Sequence, residues 1–361
     1  MHSDVWEITK KIREKMTALE RYKKLLKTTI IRADVPLKES EEFKTFLNLL
    51  TEIRPKKLFR YRICSENNFD ALIDDKVYFN SPTKFNDPHD CLVYVDKKKI
   101  SSLLYQVDDI SIIVKFMRDN RNFNSDFSPN DYPTIQHFRN KLQNANDEKA
   151  VLIWESIKSR NDSVRNDLIK EWHELIQASR SVAREWTRER ENIACFSERF
   201  DSSLMWAHYA KYHEGFVLEY DTTELVHDTI CPFPVIYGNE RYDATEYEIE
   251  FLKWSVGYFF YDSSSPFYAT DQLHSIKSTT YKGADWKYEK EWRLLHSFAE
   301  DHPSKKYIVV KPKAIYLGSK MSESNKKIVL NLIAGKHMQV FAMYVDKGKR
   351  KYALNYKQVG Q

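Results

Sequence analysis

Four short polar segments hold the residue types that could carry chemistry in this chain, and the first is FRYR at residues 59–62. In an extended strand alternate side chains share a face, so Arg60 and Arg62 lie together while Tyr61 points the other way. Guanidinium groups present several rigid donors that fit a phosphate or a carboxylate. The segment predicts either an anion-binding fork or a pair of ordinary solvated, salt-bridged arginines.

The second segment is the loop SPTKFNDPHD at residues 81–90. Pro88 biases Asp87 away from helical geometry, which frees the side chains of Asn86 and Asp87 to cap nearby backbone groups or to contact a ligand. His89 lies between two aspartates, but three neighbouring side chains in one loop do not by themselves predict a metal site. The pattern is compatible with a structural Asx-type turn and with a ligand contact.

The third segment, residues 193–221, combines a strand, a helix and a second strand. The helix is predicted from Leu204 to His213, with serines capping its start and Gly215 ending it. On this helix His208 is either a core histidine or a pocket residue. His208 and His213 are five residues apart, which misses the i, i+4 spacing of a helical zinc pair, so no metal ligand is expected.

The fourth segment is WKYEKEWR at residues 286–293. If it is extended, Glu289, Glu291 and Arg293 line one face, which brings two carboxylates and a guanidinium onto one surface. A carboxylate held near an arginine stays ionised at neutral pH, and this suits a hydrogen bond to a sugar hydroxyl or the stabilisation of a developing cation. The alternative is a surface salt ladder, which contributes little to stability.

The elements that must position these segments predict a mixed fold. Strand-like runs lie at 58–63, 77–80, 193–197, 215–220, 234–237, 291–296, 307–310, 314–317 and 340–345. Helical patterns lie at 5–26, 40–53, 69–74, 204–213 and 322–334 and over most of 100–190. Strands and helices do not alternate regularly enough for a doubly wound sheet, so we predict an α+β fold with a mixed, mostly antiparallel sheet core.

The predicted domain organisation has two parts. Residues 1–55 form an N-terminal helical arm, which packs on the main domain or on a partner, so an oligomer through these helices is one prediction. Residues 56–361 form the α+β main domain, with a large helical insertion at about 100–190. Residues 1–32 hold nine Lys or Arg and four Asp or Glu, the one local excess of positive charge that we identify.

Composition limits the classes of function. The net charge of +5 is spread over 57 basic and 52 acidic residues, which permits nucleic-acid binding without implying it. No apolar run approaches the roughly 18 residues needed to cross a bilayer, and the start of the chain is charged rather than signal-like. We therefore expect a cytoplasmic protein with no membrane partner.

Five motifs taken in order, FRYR, FNDPHD, CFS, MWAHYA and YEKEWR, resemble a widespread bacterial family catalogued as a domain of unknown function. The resemblance covers roughly Lys56 to Val345. That family in turn is similar to ADP-ribosyltransferases, which cleave nicotinamide from NAD and pass the ADP-ribose to a protein or a nucleic acid. The early RYR and the CFSE sequence depart from the single-Arg or His motif and the STS triplet of such enzymes.

The resemblance implies a role for each segment. Arg60 or Arg62 would hold NAD, Ser197 or Tyr209 would support the site, and Glu291 would stabilise the ribose cation. The residues expected to act in catalysis are Glu291, Glu289, Arg60, Tyr209, Ser197 and His208. The residues expected to bind NAD as a co-substrate are Arg60, Tyr61, Arg62, Asn86, Asp87 and Arg293.

Three hypotheses of function follow. The leading one is an ADP-ribosyltransferase-like enzyme, a toxin or antiphage effector that acts on a nucleic-acid or protein acceptor and works with an antitoxin or companion protein. The second is a metal-independent RNA-cleaving enzyme that uses His208 with Arg60 and Arg293. The third is a non-catalytic module that binds a nucleotide or a partner, which a structure with Glu291, Arg60 and Tyr209 on different faces would favour.

Overall fold

An eight-stranded sheet organises the part of the chain that the computed structural model describes, which is residues 16–32, 36–100, 132–160, 162–226, 231–251, 271–296, 306–350 and 352–359. The strands are β1 (Lys57–Arg62), β2 (Lys76–Tyr78), β3 (Ile193–Ser197), β4 (Phe216–Asp221), β5 (Pro232–Pro234), β6 (Ile236–Gly238), β7 (Tyr281–Gly283), β8 (Glu291–Leu295), β9 (Tyr307–Val309), β10 (Ala314–Leu317), β11 (Gln339–Val345) and β12 (Leu354–Gln358). The main sheet has the order β12-β11-β10-β4-β1-β3-β8-β5, and β2-β9 and β6-β7 form separate pairs.

The main sheet is antiparallel at every junction except between β10 and β11, which run parallel. The predicted α+β class with a mixed, mostly antiparallel sheet is confirmed. Two strands, β7 and β12, are not predicted by the sequence, because their short sequences YKG and LNYKQ contain no run of apolar residues. The predicted strand at 234–237 is in fact divided at Val235 between β5 and β6.

The helices are α1 (Ala18–Thr28), α2 (Glu41–Ile53), α3 (Glu66–Ile73), α4 (Pro133–Gln143), α5 (Asp147–Lys158), α6 (Ser163–Arg190), α7 (Ser203–Tyr209), α8 (His274–Thr280) and α9 (Glu323–Leu332). Serine caps fix several of their starts, as in α2, where Ser40 Oγ accepts from the Phe43 N–H at 3.2 Å. The predicted helical stretches at 5–15 and 101–118, and most of the polar looped interval predicted at 119–133, lie outside the described residues. No described helix is both long and apolar enough to cross a bilayer.

The N-terminal helices share a core with the sheet. Tyr22 on α1 stacks on Phe46 of α2 with ring centroids 5.1 Å apart, and Phe46 lies 6.1 Å from Phe233 on β5. The same core contains Leu58 and Phe196 from β1 and β3. The described part of the N-terminal arm therefore packs directly on one face of the sheet, which α3 and α9 also cover.

The opposite face of the sheet is covered mainly by α7. Met205 and Trp206 on this helix pack against Phe59 and Tyr61 of β1, and aromatic side chains from β10 and β11 extend the same cluster. Strand alternation thus sends Leu58 and Phe59, which are neighbours in β1, into different cores. We call the side that carries α7 the α7 face.

The helical insertion has a core of its own but is tied to the sheet. Its buried apolar residues on α4, α5 and α6 include Ile135, Phe138, Leu142, Ile157, Leu168 and Trp172. Near the end of α6, Arg188 Nε donates to the Asp90 carbonyl at 3.2 Å. The last turns of α6 therefore anchor the loop that precedes Asp90.

The turn after α7 depends on a glycine. Lys211, Tyr212 and His213 have positive φ angles, and Gly215 then leads into β4. A Cβ on Gly215 would lie 2.1 Å from the Arg62 carbonyl oxygen, a distance that no side chain tolerates. Close approach of β1 to this turn therefore requires glycine at this position.

We expect Gly215→Ala to lower the free energy of unfolding by about 1–3 kcal/mol, because the methyl group forces β1 and the turn apart. The matched control is Gly238→Ala, whose Cβ would meet nothing closer than 3.9 Å and which should change stability by less than about 0.5 kcal/mol. Denaturant titration of both variants measures the difference. Equal stabilities would contradict the close-approach argument.

Candidate active site

A cavity of about 110 Å³ opens on the α7 face, at the boundary between β1 and β3. These two strands are paired at Phe59 and Ser197, whereas β1 and β4 pair along their whole length. The cavity is lined by Phe59, Arg60, Tyr61, Arg62, Phe85, Asn86, Asp90, Cys195, Phe196, Ser197, Met205, Tyr209, Lys282, Glu289 and Glu291. All four predicted segments therefore contribute to one cavity.

Arg293 on β8 is fully buried and uses all five of its N–H donors. Nε and Nη2 donate to the two carboxylate oxygens of Glu291 at 2.8 and 3.1 Å. Nη1 and Nη2 donate to the two oxygens of Asp90 at 2.7 and 2.8 Å, and Nη1 also donates to the Thr279 carbonyl at 2.7 Å. No donor is left for a ligand, which corrects the predicted NAD-binding role of Arg293: it positions Glu291 and Asp90.

Lys282 on β7 supplies a second buried cation. Its Nζ donates to Glu289 Oε2 at 2.6 Å and to Glu291 Oε2 at 3.0 Å, and it lies 3.5 Å from Asp90 Oδ2. Burial lowers the pKa of Lys282, but the neighbouring carboxylates outweigh burial and hold this pKa above its ordinary value. Lys282 therefore remains charged and links the three acids.

Glu289 is held by one cation and one phenol. Tyr209 Oη donates to Glu289 Oε1, and Asn86 Nδ2 donates in turn to Tyr209 Oη at 3.2 Å. Burial raises the pKa of the Tyr209 phenol, and the Glu289 charge adds to this effect, so Tyr209 stays protonated as a donor. The two successive hydrogen bonds, from Asn86 in the 81–90 loop to Tyr209 on α7 and from Tyr209 to Glu289, thus orient the Glu289 carboxyl group in the cavity.

The two glutamates differ in acidity because they differ in partners. Burial and the charge of Glu291 raise the pKa of Glu289 to about 7, against the opposing effect of Lys282. Burial also acts to raise the pKa of Glu291, but Arg293 and Lys282 overcome it and hold that pKa well below its ordinary range. The cavity therefore contains a permanently ionised carboxylate next to one that exchanges a proton near neutral pH, an arrangement typical of acid and base pairs.

The local charge depends on that single proton. Three carboxylates, on Asp90, Glu289 and Glu291, face the two cations Lys282 and Arg293, so the cluster carries a charge of −1 when Glu289 is ionised and zero when it is protonated. A buried negative charge stabilises a cation that develops beside it. Among the residues that the structure describes, no group of three or more His, Cys, Asp or Glu side chains is arranged to hold a metal ion.

The route by which Glu289 reaches the cavity differs from the prediction. Residues Ala284–Glu289 form a 3₁₀ helix, Lys290 has a left-handed backbone with φ 45°, and β8 begins only at Glu291. The extended backbone that would put all three side chains on one face is therefore absent before Glu291, although the three side chains do meet and the predicted strand at 291–296 coincides with β8. Glu291 and Arg293 share a face through strand alternation, whereas Glu289 enters from the turn.

Ser197 fixes this turn from β3. Its Oγ donates to the Glu289 carbonyl at 2.6 Å and accepts from the Arg199 N–H at 3.0 Å. The hydroxyl is fully buried, so its visible contribution is to position the backbone of Glu289. Ser197 thus holds a positioning role, whereas Tyr209 and Cys195, also in the third segment, contact the carboxyl groups of Glu289 and Glu291.

Arg60 and Tyr61 point to opposite faces of the sheet, as predicted, but Arg60 points away from the carboxylates. Its Nη2 donates to the Tyr78 carbonyl at 2.6 Å, and its Cζ lies 5.5 Å from the ring centroid of Phe196, in the core under α1 and α2. Within the described residues its Nε and Nη1 have no hydrogen-bond partner. The structure therefore does not bring the Arg60 guanidinium together with Glu289 and Glu291.

Two other predicted residues, Tyr61 and Asp87, make contacts that support the fold. Tyr61 Oη donates to the Arg199 carbonyl at 2.9 Å, and its ring packs edge-on against Trp206. Asp87 Oδ1 accepts from the His89 N–H at 2.9 Å, which is the Asx-type turn. This turn gives Asp87 a structural role in place of the predicted contact with NAD.

His208 lies on the exposed side of α7, with its ring 6.2 Å from that of Tyr288, and it does not line the cavity. Its predicted catalytic role in this cavity is corrected accordingly. All N–H donors of Arg293 are taken by protein groups, and Arg60 lies in the core under α1 and α2. The three residues named for RNA cleavage are therefore not brought together.

Residues 205–294 match the sequence profile of a family described as "Protein of unknown function (DUF2971)". The predicted resemblance to a family of unknown function is confirmed over this segment, which contains Tyr209, Lys282, Glu289, Glu291 and Arg293. No curated protein and no solved structure matches the chain. The family description carries no activity, so function must be argued from the cavity.

We expect Arg293→Met to lower the free energy of unfolding by about 3–5 kcal/mol, because it leaves Asp90 and Glu291 buried with Lys282 as their remaining cation. The matched control is Arg199→Met, which removes an exposed ion pair with Asp201 and should cost about 1 kcal/mol or less. Thermal and denaturant unfolding measure both. Similar losses in the two variants would contradict the anchoring role.

We expect Glu289→Gln to become more stable relative to the wild type as pH rises from 5 to 8. The folded pKa of Glu289, about 7, is above its ordinary value of 4.5, so its contribution to stability is present below 4.5 and is lost as pH rises through 7. The expected change in the difference is about 2 kcal/mol.

Glu214→Gln serves as the control, because Glu214 lies at the surface, where it pairs with Lys211 away from the cluster. Its stability should differ from that of the wild type by about 1 kcal/mol or less at every pH from 5 to 8. Denaturation curves at four pH values measure both differences. A flat difference for Glu289→Gln would show that its carboxyl group does not titrate near neutrality.

Proposed function

We propose that this protein is an ADP-ribosyltransferase-like enzyme, which cleaves NAD and transfers ADP-ribose to a macromolecular acceptor. The observation that carries the proposal is the pair of buried carboxyl groups, Glu289 and Glu291, with opposite pKa shifts in one cavity. The resemblance of the sequence motifs to those of such enzymes also supports an active-site role for the two glutamates of the Glu-x-Glu sequence, Glu289 and Glu291. A role as a toxin or antiphage effector belongs to this proposal.

The reaction needs a negative charge and a base, and the cavity contains both. When the bond between nicotinamide and ribose breaks, its electron pair leaves with nicotinamide and the ribose carbon becomes cationic. The charge of −1 on the cluster stabilises this cation. As the acceptor oxygen or nitrogen bonds to the ribose carbon, the ionised Glu289 takes the acceptor's proton, which is general-base catalysis with a pKa near working pH.

The size of the cavity limits what enters it. Its volume of about 110 Å³ is below the 300–1,000 Å³ of pockets that enclose a whole drug-sized ligand, so it takes one ring of NAD at a time. The rest of NAD must lie outside. Neither arginine of β1 is placed beside the carboxylates, because Arg60 faces the other core and strand alternation puts Arg62 on the same face as Arg60.

A non-catalytic nucleotide-binding module is the second candidate, and two observations favour it. The Arg60 guanidinium lies on the opposite side of the sheet from Glu291 and Tyr209. In addition, Arg293 and Lys282 direct three donors at the Glu291 carboxylate, which leaves it little capacity to bind a sugar hydroxyl. A module of this kind would bind NAD without releasing nicotinamide.

The test incubates purified wild-type protein with NAD and with either total RNA, single-stranded DNA or cell lysate, and measures released nicotinamide and ADP-ribosylated product. We expect Glu289→Gln to lower the rate by at least about 10²-fold, because the variant loses both the base and the negative charge. Glu214→Gln is the control, since Glu214 pairs with Lys211 at the surface and should leave the rate unchanged.

The pH dependence provides an independent check. The wild-type rate should rise with pH through about 7, as Glu289 loses its proton and the cluster becomes negative. Calorimetric titration with NAD separates the candidates. NAD binding without nicotinamide release selects the binding module, and the absence of both NAD binding and release contradicts both candidates.

A further inference from the structure

The prediction of a single local excess of positive charge, at residues 1–32, is incomplete, because a larger excess lies near the C-terminus. Residues 306–361 contain 12 Lys or Arg and two Asp or Glu, a net charge of +10, whereas the whole chain has +5. The rest of the chain is therefore net negative, and the two parts differ strongly in the field that they present to solvent. Such an asymmetry indicates a polyanionic partner for the C-terminal part.

The exposed tip of this basic region is the hairpin of β11 and β12, whose connecting segment reads DKGKRKYA from Asp346. Lys347, Lys349 and Arg350 are all exposed there. Lys349 Nζ donates to Asn355 Oδ1 at 3.0 Å, which ties the tip to β12. The three cations therefore lie together at the tip of the hairpin, between its two strands, rather than scattered over the surface.

Exposed tyrosines lie beside these cations. Tyr352, next to the tip, is fully exposed, and Tyr356 on β12 is 50% exposed. The inner edge of Tyr356 packs on Phe341 and Tyr316, at centroid distances of 5.4 and 5.8 Å. Tyr356 is thus held rigidly with half of its surface available for contact.

We propose that the β11–β12 hairpin binds single-stranded nucleic acid, with Lys347, Lys349 and Arg350 on the phosphates and Tyr352 and Tyr356 stacked on bases. Alternating cations and exposed aromatic rings are the combination that single strands require, because each base has a free face for stacking. Tyrosine also occurs at membrane and protein interfaces, and a measurement with anionic vesicles distinguishes a membrane. Three cations beside two exposed rings on one hairpin match the phosphates and bases of a single strand, so nucleic acid is the partner that we propose.

The hairpin and the cavity lie on the same face of the sheet. Tyr356 belongs with Tyr316 and Phe200 to the aromatic cluster of the α7 face, which is also the face of Glu291. Six strand spacings separate β12 from β8, which is roughly 29 Å at about 4.8 Å each. A strand of about nine nucleotides at 3.4 Å each spans that distance, so a strand bound at the hairpin can place another part of itself at the cavity.

This inference rests on the proposed function only where it makes the bound strand the acceptor of ADP-ribose. Binding itself is measured without NAD, by fluorescence anisotropy of labelled 20-nucleotide RNA and DNA at several salt concentrations. The triple variant Lys347→Gln, Lys349→Gln, Arg350→Gln should bind on the order of 10²-fold more weakly at 0.1 M salt, with the salt slope reduced by about 2. Tyr352→Ala should weaken binding about tenfold and leave the slope unchanged.

The matched control removes the same charge elsewhere in the basic region, in the triple variant Lys306→Gln, Lys311→Gln, Lys327→Gln, whose residues are also exposed. It should retain wild-type affinity to within about threefold, and unfolding curves of both triple variants check the fold. Equal losses in the two triple variants overturn the proposal, as does unchanged binding by the hairpin variant. Binding to phosphatidylserine vesicles is measured as well. The proposal is also overturned if the hairpin triple variant loses vesicle binding but binds nucleic acid like the wild type.

The acceptor role has its own readout. With NAD present, the hairpin triple variant should lose transfer to RNA or DNA while its nicotinamide release without acceptor matches the wild type. Nucleic-acid binding by a wild-type protein that never releases nicotinamide supports the hairpin and contradicts the proposed enzyme. Transfer that the hairpin variant performs at the wild-type rate overturns the acceptor role.

Discussion

The buried guanidinium of Arg293 is the interaction on which the site depends. It joins β8 to the 81–90 loop through Asp90 and to the end of α8 through the Thr279 carbonyl. Separate elements converge on one side chain because each has a carboxylate or carbonyl that burial would otherwise leave unsatisfied. Once the guanidinium is in place, the position of Glu291 is determined, and the cavity next to it follows.

Lys282 completes the arrangement and gives the cavity its electrostatic character. Two cations do not neutralise three carboxylates, so one acid must have a perturbed affinity for protons. That acid is Glu289, because Lys282 is its one cationic contact, whereas Glu291 contacts both Lys282 and Arg293. The separation of the two pKa values thus comes from the number of charged neighbours rather than from a difference in burial.

Local patterns predicted the elements well where one rule decided the outcome. The Ser40 cap marked the start of α2, and the run at 193–197 coincides with β3. Alternation also showed correctly that Arg60 and Tyr61 face opposite sides. It could not show which side would hold the carboxylates, because that depends on how α7 and the N-terminal helices divide the two faces of the sheet.

The site was harder to predict because its key residues come from irregular backbone. Lys282 lies in a three-residue strand, which is too short for any periodicity to mark it as buried. Glu289 reaches the cavity through a left-handed residue at Lys290, which a strand pattern does not reveal. Asp90 was visible as one acid in a turn, and only the tertiary contact with Arg293, 203 positions further along the chain, identifies its importance.

The uneven count of charges has a consequence for the proposed ligand, because NAD exists in two oxidation states that differ in charge. Oxidised nicotinamide has a formal positive charge on its ring, and reduced nicotinamide is neutral at the same position. A cavity with a charge of −1 attracts the positively charged oxidised ring, whereas the neutral reduced ring has no such electrostatic attraction. On the proposed function, the cavity would take the oxidised form in preference to the reduced one, and protonation of Glu289 would remove that preference.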